Sequence, residues 1–345
     1  MRKLFAAMVV LLLTGCERYV PEDVTELVYA TPYPPSHPFS RADQVWMDFV
    51  ARQSGGSLVI RPSWSGALLS SEHSMLELRH GLADIGLITP IYVKGGVHLI
   101  RIQSGFYSGI TSIEAQIALY QCLAAQDEQF AREVEGLKIL AIQGGSLPGI
   151  VTANRPVASL ADLQGLRIRA PTELLSVLEQ LGADPVNMPM GDVYSALAKG
   201  VLDGVVAPLD TFRSLHFAEV AQYYASLVVP RGAYPARAMN MARWSALSLA
   251  HQQVLEAAIP VWQQALAQQI ELAMQEGLAE AQAQDVIFSE ITADDQQRFD
   301  ALYLDFARQN ADSLQRYGID GSRVFSLARN SINSDGSVTC SGDSN

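Results

Sequence analysis

The sequence predicts an α/β protein of two lobes, each built on a mainly parallel sheet, with an interlobe cleft and long helices toward the C-terminal end. Three observations predict it. The chain has 345 residues, more than one hydrophobic core usually holds. Short apolar runs alternate with stretches of helical periodicity, the pattern of sheets covered on both faces by helices. Residues 249–284, about 35 in all, are rich in Ala, Gln, Leu and Glu, with Gly277 as their only glycine.

Residues 1–15 read as a secretory signal. Arg2 and Lys3 precede an apolar run of about ten residues, too short for a membrane span of about 20. The run stops at Leu13-Thr14-Gly15-Cys16, which resembles the lipobox of bacterial lipoproteins. Cys16 is therefore the candidate lipidation site and residues 16–26 a lipidated tether; an ordinary signal peptide with an incidental cysteine is the alternative.

The 24 basic and 36 acidic side chains give a formal charge of −12, and loss of Arg2 and Lys3 makes it two units more negative. Such a surface disfavours nucleic acid and anionic lipid headgroups. It leaves room for an anionic ligand, because one buried arginine sets the potential in a cleft more strongly than dispersed, screened carboxylates. Beyond Cys16 only Cys122 and Cys340 remain, one in an apolar helical stretch and one in a Ser/Gly/Asp-rich tail. A disulfide between them is compatible with export but has little local support. No Cys/His cluster has metal-ligand spacing, so no metal or cofactor is expected.

In chain order, residues 27–31 read as a buried strand and 32–38 as a loop with four prolines in seven residues. Residues 40–53 have helical periodicity and end at Gly55-Gly56; residues 58–62 form a strand. Ser70-Ser71 can cap a helix running to residue 82, followed by a strand at 83–88, a helix at 112–125 and a strand at 137–143. A second α/β unit begins near Gly144, with strands at 149–153, 166–170 and 204–207 and helices at 171–181 and 192–199. Residues 238–241 return the chain to the first lobe. The predicted division is lobe I at 27–143, lobe II at 144–235, the return with spanning and C-terminal helices at 236–330, and a flexible tail at 331–345. Pro260 ends or kinks the long helix of 249–284. A last helix covers 294–317 and closes at Gly318.

Arg169 is the first candidate for chemistry. In Gly165-Leu166-Arg167-Ile168-Arg169-Ala170-Pro171, alternation sets Arg167 and Arg169 on one side of a strand that Pro171 closes. An arginine at a strand's carboxyl end can present a rigid fork to a carboxylate. Taken alone, it reads either as that anchor or as half of a surface salt bridge.

The neighbouring motifs favour the anchor. Leu163-Gln164-Gly165-Leu166-Arg167-Ile168-Arg169, Leu181-Gly182-Ala183-Asp184-Pro185-Val186-Asn187-Met188-Pro189, Asp192-Val193-Tyr194-Ser195-Ala196-Leu197 and Gly200-Val201-Leu202-Asp203-Gly204 occur in order. Ser36-His37-Pro38 and Gly81-Leu82-Ala83-Asp84-Ile85-Gly86 precede them. The set resembles the solute-binding proteins of TRAP transporters, the DctP-type family, over residues 27–310. The resemblance implies a two-lobed periplasmic-binding-protein fold, a small organic carboxylate held by Arg169, and delivery to a TRAP-type membrane permease from a lipid-anchored, extracytoplasmic position.

It also suggests wall residues: Thr89 and Tyr92 beyond the strand at 83–88, Met190 where an aromatic often stands, Trp64, His37, Phe106 with Tyr107 near the opening, and Asp210 with Phe212 at the rim. Each has a packing alternative. Two departures stand out. Gly149 occupies the place of a second arginine in the sialic-acid-binding branch, and Ala207 precedes Pro208 where many members have asparagine. Losing a charged donor and an amide disfavours a sugar acid needing many polar contacts. A smaller or partly apolar carboxylate fits better.

The competing classes are an extracytoplasmic enzyme and a structural lipoprotein. The first lacks a Gly-x-Ser-x-Gly elbow, a metal motif or a phosphate loop to support it. The second predicts no tight binding of small acids.

Overall fold

The computed structural model describes residues 24–341; the signal sequence, Cys16 and most of the tether lie outside the described residues. Eleven strands make two sheets: β1 (Thr25–Ala30), β2 (Leu58–Ser63), β3 (Ile85–Leu87), β4 (Leu137–Gln143), β5 (Gly149–Thr152), β6 (Arg167–Arg169), β7 (Asp184–Val186), β8 (Gly204–Ala207), β9 (Tyr223–Ala225), β10 (Tyr234–Asn240) and β11 (Ile287–Ser289). The five-stranded sheet has the order β2-β1-β3-β10-β4 and the six-stranded sheet β11-β9-β5-β8-β6-β7.

Both sheets are mixed, which corrects the expectation of mainly parallel ones. β10 runs antiparallel to β3 and β4, and β5 antiparallel to β8 and β9. The reason is how the chain changes sheets. A parallel neighbour needs a crossover that returns to the starting end; β5 and β10 instead enter straight from the other sheet, through the helix-free segments 144–148 and 226–233. Tyr234 pairs with Gln143 and Ile150 with Ala225, so these two connections run side by side.

Each sheet is packed on both faces. Leu27, Tyr29, Trp46 and Trp262 fill one side of the five-stranded sheet, and Ile88, Phe106, Leu123 and Val324 the other. Around the six-stranded sheet, Ile168, Leu174 and Phe299 form one cluster and Val205, Phe212 and Ala281 another. At about 1.5–3 kcal/mol per fully buried large apolar side chain, these clusters are the main favourable contribution to folding.

The helix Pro38–Gln53 starts two residues earlier than expected, at Pro38. His37 caps it, its Nδ1 accepting the Phe39 N–H at 3.2 Å. The helix expected from Ser70-Ser71 shortens to Ser74–Arg79, because the Ser70 N–H and hydroxyl both donate to Glu77 and hold that segment as a turn. The 249–284 stretch divides into Leu249–Ala257 and Ile259–Ala283, with Pro260 in the first turn of the second helix. The 25-residue second helix packs on Pro38–Gln53 and on the Thr211–Ser214 turn, so it touches elements of both sheets. Gly277 permits that second contact, since a Cβ there would lie 2.2 Å from the Leu209 carbonyl oxygen. No helix among the described residues is long and apolar enough to cross a membrane.

The helix Ala293–Ser313 tightens into a turn at Leu314–Tyr317 before Gly318. A further helix, Gly321–Ser331, is capped by Asp320 and was not anticipated as a separate element. Residues 332–341 after it are mostly exposed, and Cys122 and Cys340 form a disulfide that holds them to the helix Ile113–Gln126.

Under the five-stranded sheet, the Asp43 carboxylate accepts from Arg237 Nε at 2.7 Å, Arg237 Nη2 at 3.1 Å, Tyr29 OH at 2.5 Å and Trp262 Nε1 at 2.7 Å. Arg237 Nη1 donates to Gln143, whose amide donates to the Tyr234 hydroxyl. This buried charge is thus fully partnered, and the network reaches the wall of the cavity described next.

Candidate functional site

β6 carries Arg169 at its carboxyl end, between the buried Ile168 and Ala170. The sequence folds this way because Ile168 belongs to the core on one face, so alternation turns the arginines to the other. The neighbouring Arg167 is exposed and pairs with Asp184 at 3.6 Å. Arg169 is only 3% exposed; its Nε donates to the Met188 carbonyl at 2.9 Å and its Nη2 to the Tyr92 hydroxyl at 2.5 Å. Among the described residues no carboxylate lies within ion-pair distance of it. A buried cation held by neutral acceptors alone is costly to desolvate, and an incoming carboxylate repays that cost.

The guanidinium faces a cavity of about 120 Å³. Tyr33, Phe39, Tyr92, Ser104 and Tyr234 line it from elements of the five-stranded sheet. Arg169, Glu173, Met190 and Pro208 line it from the six-stranded one, and Pro148 and residues 229–232 from the two connections between them. The middle is aromatic and apolar, with charge at Arg169, Arg231 and Glu173. Burial raises the Tyr33 and Tyr234 hydroxyls above the ordinary phenol range, so both remain neutral donors.

His37 and Asp210 lie beside this space, in an adjoining cavity of about 60 Å³ that shares Tyr33, Met190 and Arg231 with it. Burial pushes the His37 imidazole down to about 3, and stacking on Tyr33 at 4.0 Å fixes the ring. Burial pushes the Asp210 carboxyl up to about 6, opposed by the Ser214 hydroxyl and by Arg231.

Four proposed wall residues are not brought to the cavity. The Thr89 hydroxyl donates to the Ser71 carbonyl and meets Ser74, tying a turn to a helix. Trp64 is half-buried and packs edge-on against Tyr29 at the margin of the core. Phe106 is fully buried against Phe325, and its neighbour Tyr107 is equally buried. Phe212 is fully buried against Tyr224. Burial accounts for Phe106 and Phe212, whereas the half-buried Trp64 lies outside the cavity lining. Phe212 and Asp210 also border a larger groove of about 360 Å³, where both arginines already pair, Arg41 with Glu276 and Arg213 with Glu280.

The sequence does not mark Tyr33, Phe39, Ser104 or Tyr234 as cavity residues, nor the two further charged ones, Arg231 and Glu173. Arg231 follows a proline in a connecting segment and Glu173 sits in a short turn, so no periodicity marks either. Gly149 has a steric explanation. A Cβ there would lie 2.5 Å from the Tyr224 hydroxyl oxygen and 2.6 Å from the Ala225 carbonyl oxygen, which leaves no room for a side chain. Ala207 pairs with it across the sheet and is fully buried.

Residues 29–309 match the family described as bacterial extracellular solute-binding protein, family 7, or DctP. The chain belongs to the DctP family. A relative, the 2,3-diketo-L-gulonate-binding periplasmic protein of Escherichia coli, is 29% identical over 138 residues, 37% of this chain and 40% of that protein. The chain matches between 24% and 40% of the length of the first curated relatives. Two solved structures share the fold. A TRAP solute-binding protein from Rhodoferax ferrireducens, in complex with copurified benzoate, has a TM-score of 0.80 at 23% identity, over 89% of this chain and 97% of that one. A marine metagenome TRAP protein specific for aromatic acid ligands, with 3-hydroxybenzoate, has a TM-score of 0.79 at 23% identity, over 89% and 97%. Like other DctP-family proteins, this chain is a binding protein rather than an enzyme by family membership.

Proposed function

We propose that this DctP-family protein captures a small, partly aromatic or apolar carboxylate outside the cytoplasm and delivers it to a TRAP-type permease. One observation carries the proposal: Arg169 is buried, unpaired with any described carboxylate, and faces a cavity lined from both sheets. The ligand's carboxylate takes the open side of the guanidinium as a charge-assisted pair, while Tyr92 and Met188 fix the fork's orientation. Tyr33, Phe39 and Met190 cover the remainder.

In this reading residues 27–143 and 144–235 are two lobes, with the cavity as the cleft between them. The paired connections 144–148 and 226–233 act as the hinge, and the helices of 236–330 span the lobes. Cys16 carries the lipid that keeps the receptor near its permease. The filled site at Gly149 and the apolar Ala207 argue against a polyhydroxylated sugar acid, and the aromatic acids held by two proteins of the same fold lie within the proposed class.

Mass spectrometry of small molecules released on denaturing the purified protein tests this reading. An organic acid at near-stoichiometric amount is the predicted result. Retention of only non-acidic molecules, together with no binding across a panel of organic acids, overturns it.

A further inference from the structure

We propose that Glu173 is a specificity-determining residue that selects acids carrying a hydroxyl group away from their carboxylate. The inference rests on the carboxylate-binding reading above and names the substrate class more closely. Glu173 is 4% exposed, lines the same cavity as Arg169, and its Oε2 has no hydrogen-bond partner. A buried carboxyl oxygen without a partner carries a desolvation penalty that a bound donor removes. The wall carries donors at Ser104, Tyr33, Tyr234 and Arg231, yet none of them partners this oxygen, so the ligand is assigned that role.

The donor's chemistry follows from the surroundings. Burial raises the Glu173 carboxyl from its ordinary range, while the Ser104 hydroxyl and the Arg169 and Arg101 guanidiniums hold it back. A hydroxyl suits either state, donating to the carboxylate or both donating to and accepting from the neutral acid; an ammonium suits only the ionised one. Tyr303, whose hydroxyl also lacks a partner, lies near enough for the Glu173 charge to be felt there. The ligand therefore presents its carboxylate to Arg169 and its hydroxyl to Glu173, across an aromatic or aliphatic middle.

The test is calorimetric binding of benzoate and phenylacetate, each alongside its three monohydroxy isomers, to the wild type and to Glu173→Leu, Glu173→Gln and Arg169→Ala. One hydroxy isomer is predicted to bind the wild type at least tenfold more tightly than its unsubstituted parent. Glu173→Leu brings that ratio to within about twofold of unity by weakening only the hydroxy acid, whereas Glu173→Gln, which keeps an acceptor, retains part of the preference. A merely structural role weakens both members equally. Equal affinities in the wild type, or an unchanged ratio in Glu173→Leu, overturn the inference while leaving the carboxylate reading standing if Arg169→Ala still weakens every acid. Affinities untouched by Arg169→Ala remove the carboxylate reading, and absence of binding by every acid counts against both.

Discussion

Arg169 Nη2 donates to the Tyr92 hydroxyl at 2.5 Å, joining the end of β6 in the six-stranded sheet to the turn that follows β3 in the five-stranded one. The bond orients the fork and holds the arginine's charge without neutralising it. That combination leaves the site ready for an anion.

Tyr92→Phe keeps the ring and removes the acceptor. A net hydrogen bond of about 0.5–1.5 kcal/mol corresponds to roughly a 2- to 12-fold loss of carboxylate affinity. Titration calorimetry checks this, with the exposed Arg167→Ala as the comparison that leaves affinity unchanged. A Tyr92→Phe protein binding as tightly as the wild type contradicts the orienting role.

The site's candidates show what a sequence can and cannot reveal. Arg169 was legible because strand alternation and ordered family motifs converged on it. β4 and β8 were equally legible, since each is an apolar run of strand length bounded by turn residues. The three-residue strands β7 (Asp184–Val186), β9 (Tyr223–Ala225) and β11 (Ile287–Ser289) were not, being too short for period-two alternation to register; β3 and β6 are as short, but ordered motifs mark the segments that carry them. Trp64, Phe106 and Phe212 follow the same local logic as Tyr92; only the packing around them decides that Phe106 and Phe212 belong to cores and that Trp64 sits at the edge of one. Arg231 and Glu173 became visible only when distant segments met.

His37 makes stability pH-dependent. Burial, with Arg237, Arg41 and Arg231 adding to it, holds the folded imidazole down to about 3, while an unfolded one takes its proton near 6.5. The unfolded state therefore binds more protons below 6.5, and stability falls as pH drops from there toward 3. At pH 5 the loss is about 2 kcal/mol, at about 1.4 kcal/mol per unit. Asp210 acts oppositely, because a folded carboxyl raised to about 6 adds stability as pH falls below that value. The contrast with a variant isolates the imidazole. His37→Asn keeps a capping acceptor and is predicted to lose about 2 kcal/mol less than wild type between pH 7.5 and pH 5, measured by urea denaturation. Parallel slopes contradict the assignment.

The Cys122–Cys340 disulfide closes a loop with a sequence separation of 218 residues. Cross-links of long loops restrict the unfolded chain and commonly contribute about 2–4 kcal/mol. Cys122→Ser is predicted to lose that amount in urea denaturation without changing ligand affinity, and reductant is predicted to reproduce it in the wild type. A loss below about 0.5 kcal/mol contradicts a stabilising cross-link.

Arg169 decides the proposed binding mode, and the direct measurement is the affinity of Arg169→Ala for the acid released from the wild-type protein, taken at matched pH and salt. Circular dichroism and thermal unfolding establish that the variant keeps its fold. At least a tenfold weakening, about 1.4 kcal/mol or more, is predicted, and Arg169→Lys is predicted not to restore it because an ammonium lacks the paired donors of the fork. Equal affinity of wild type and Arg169→Ala would contradict the central claim.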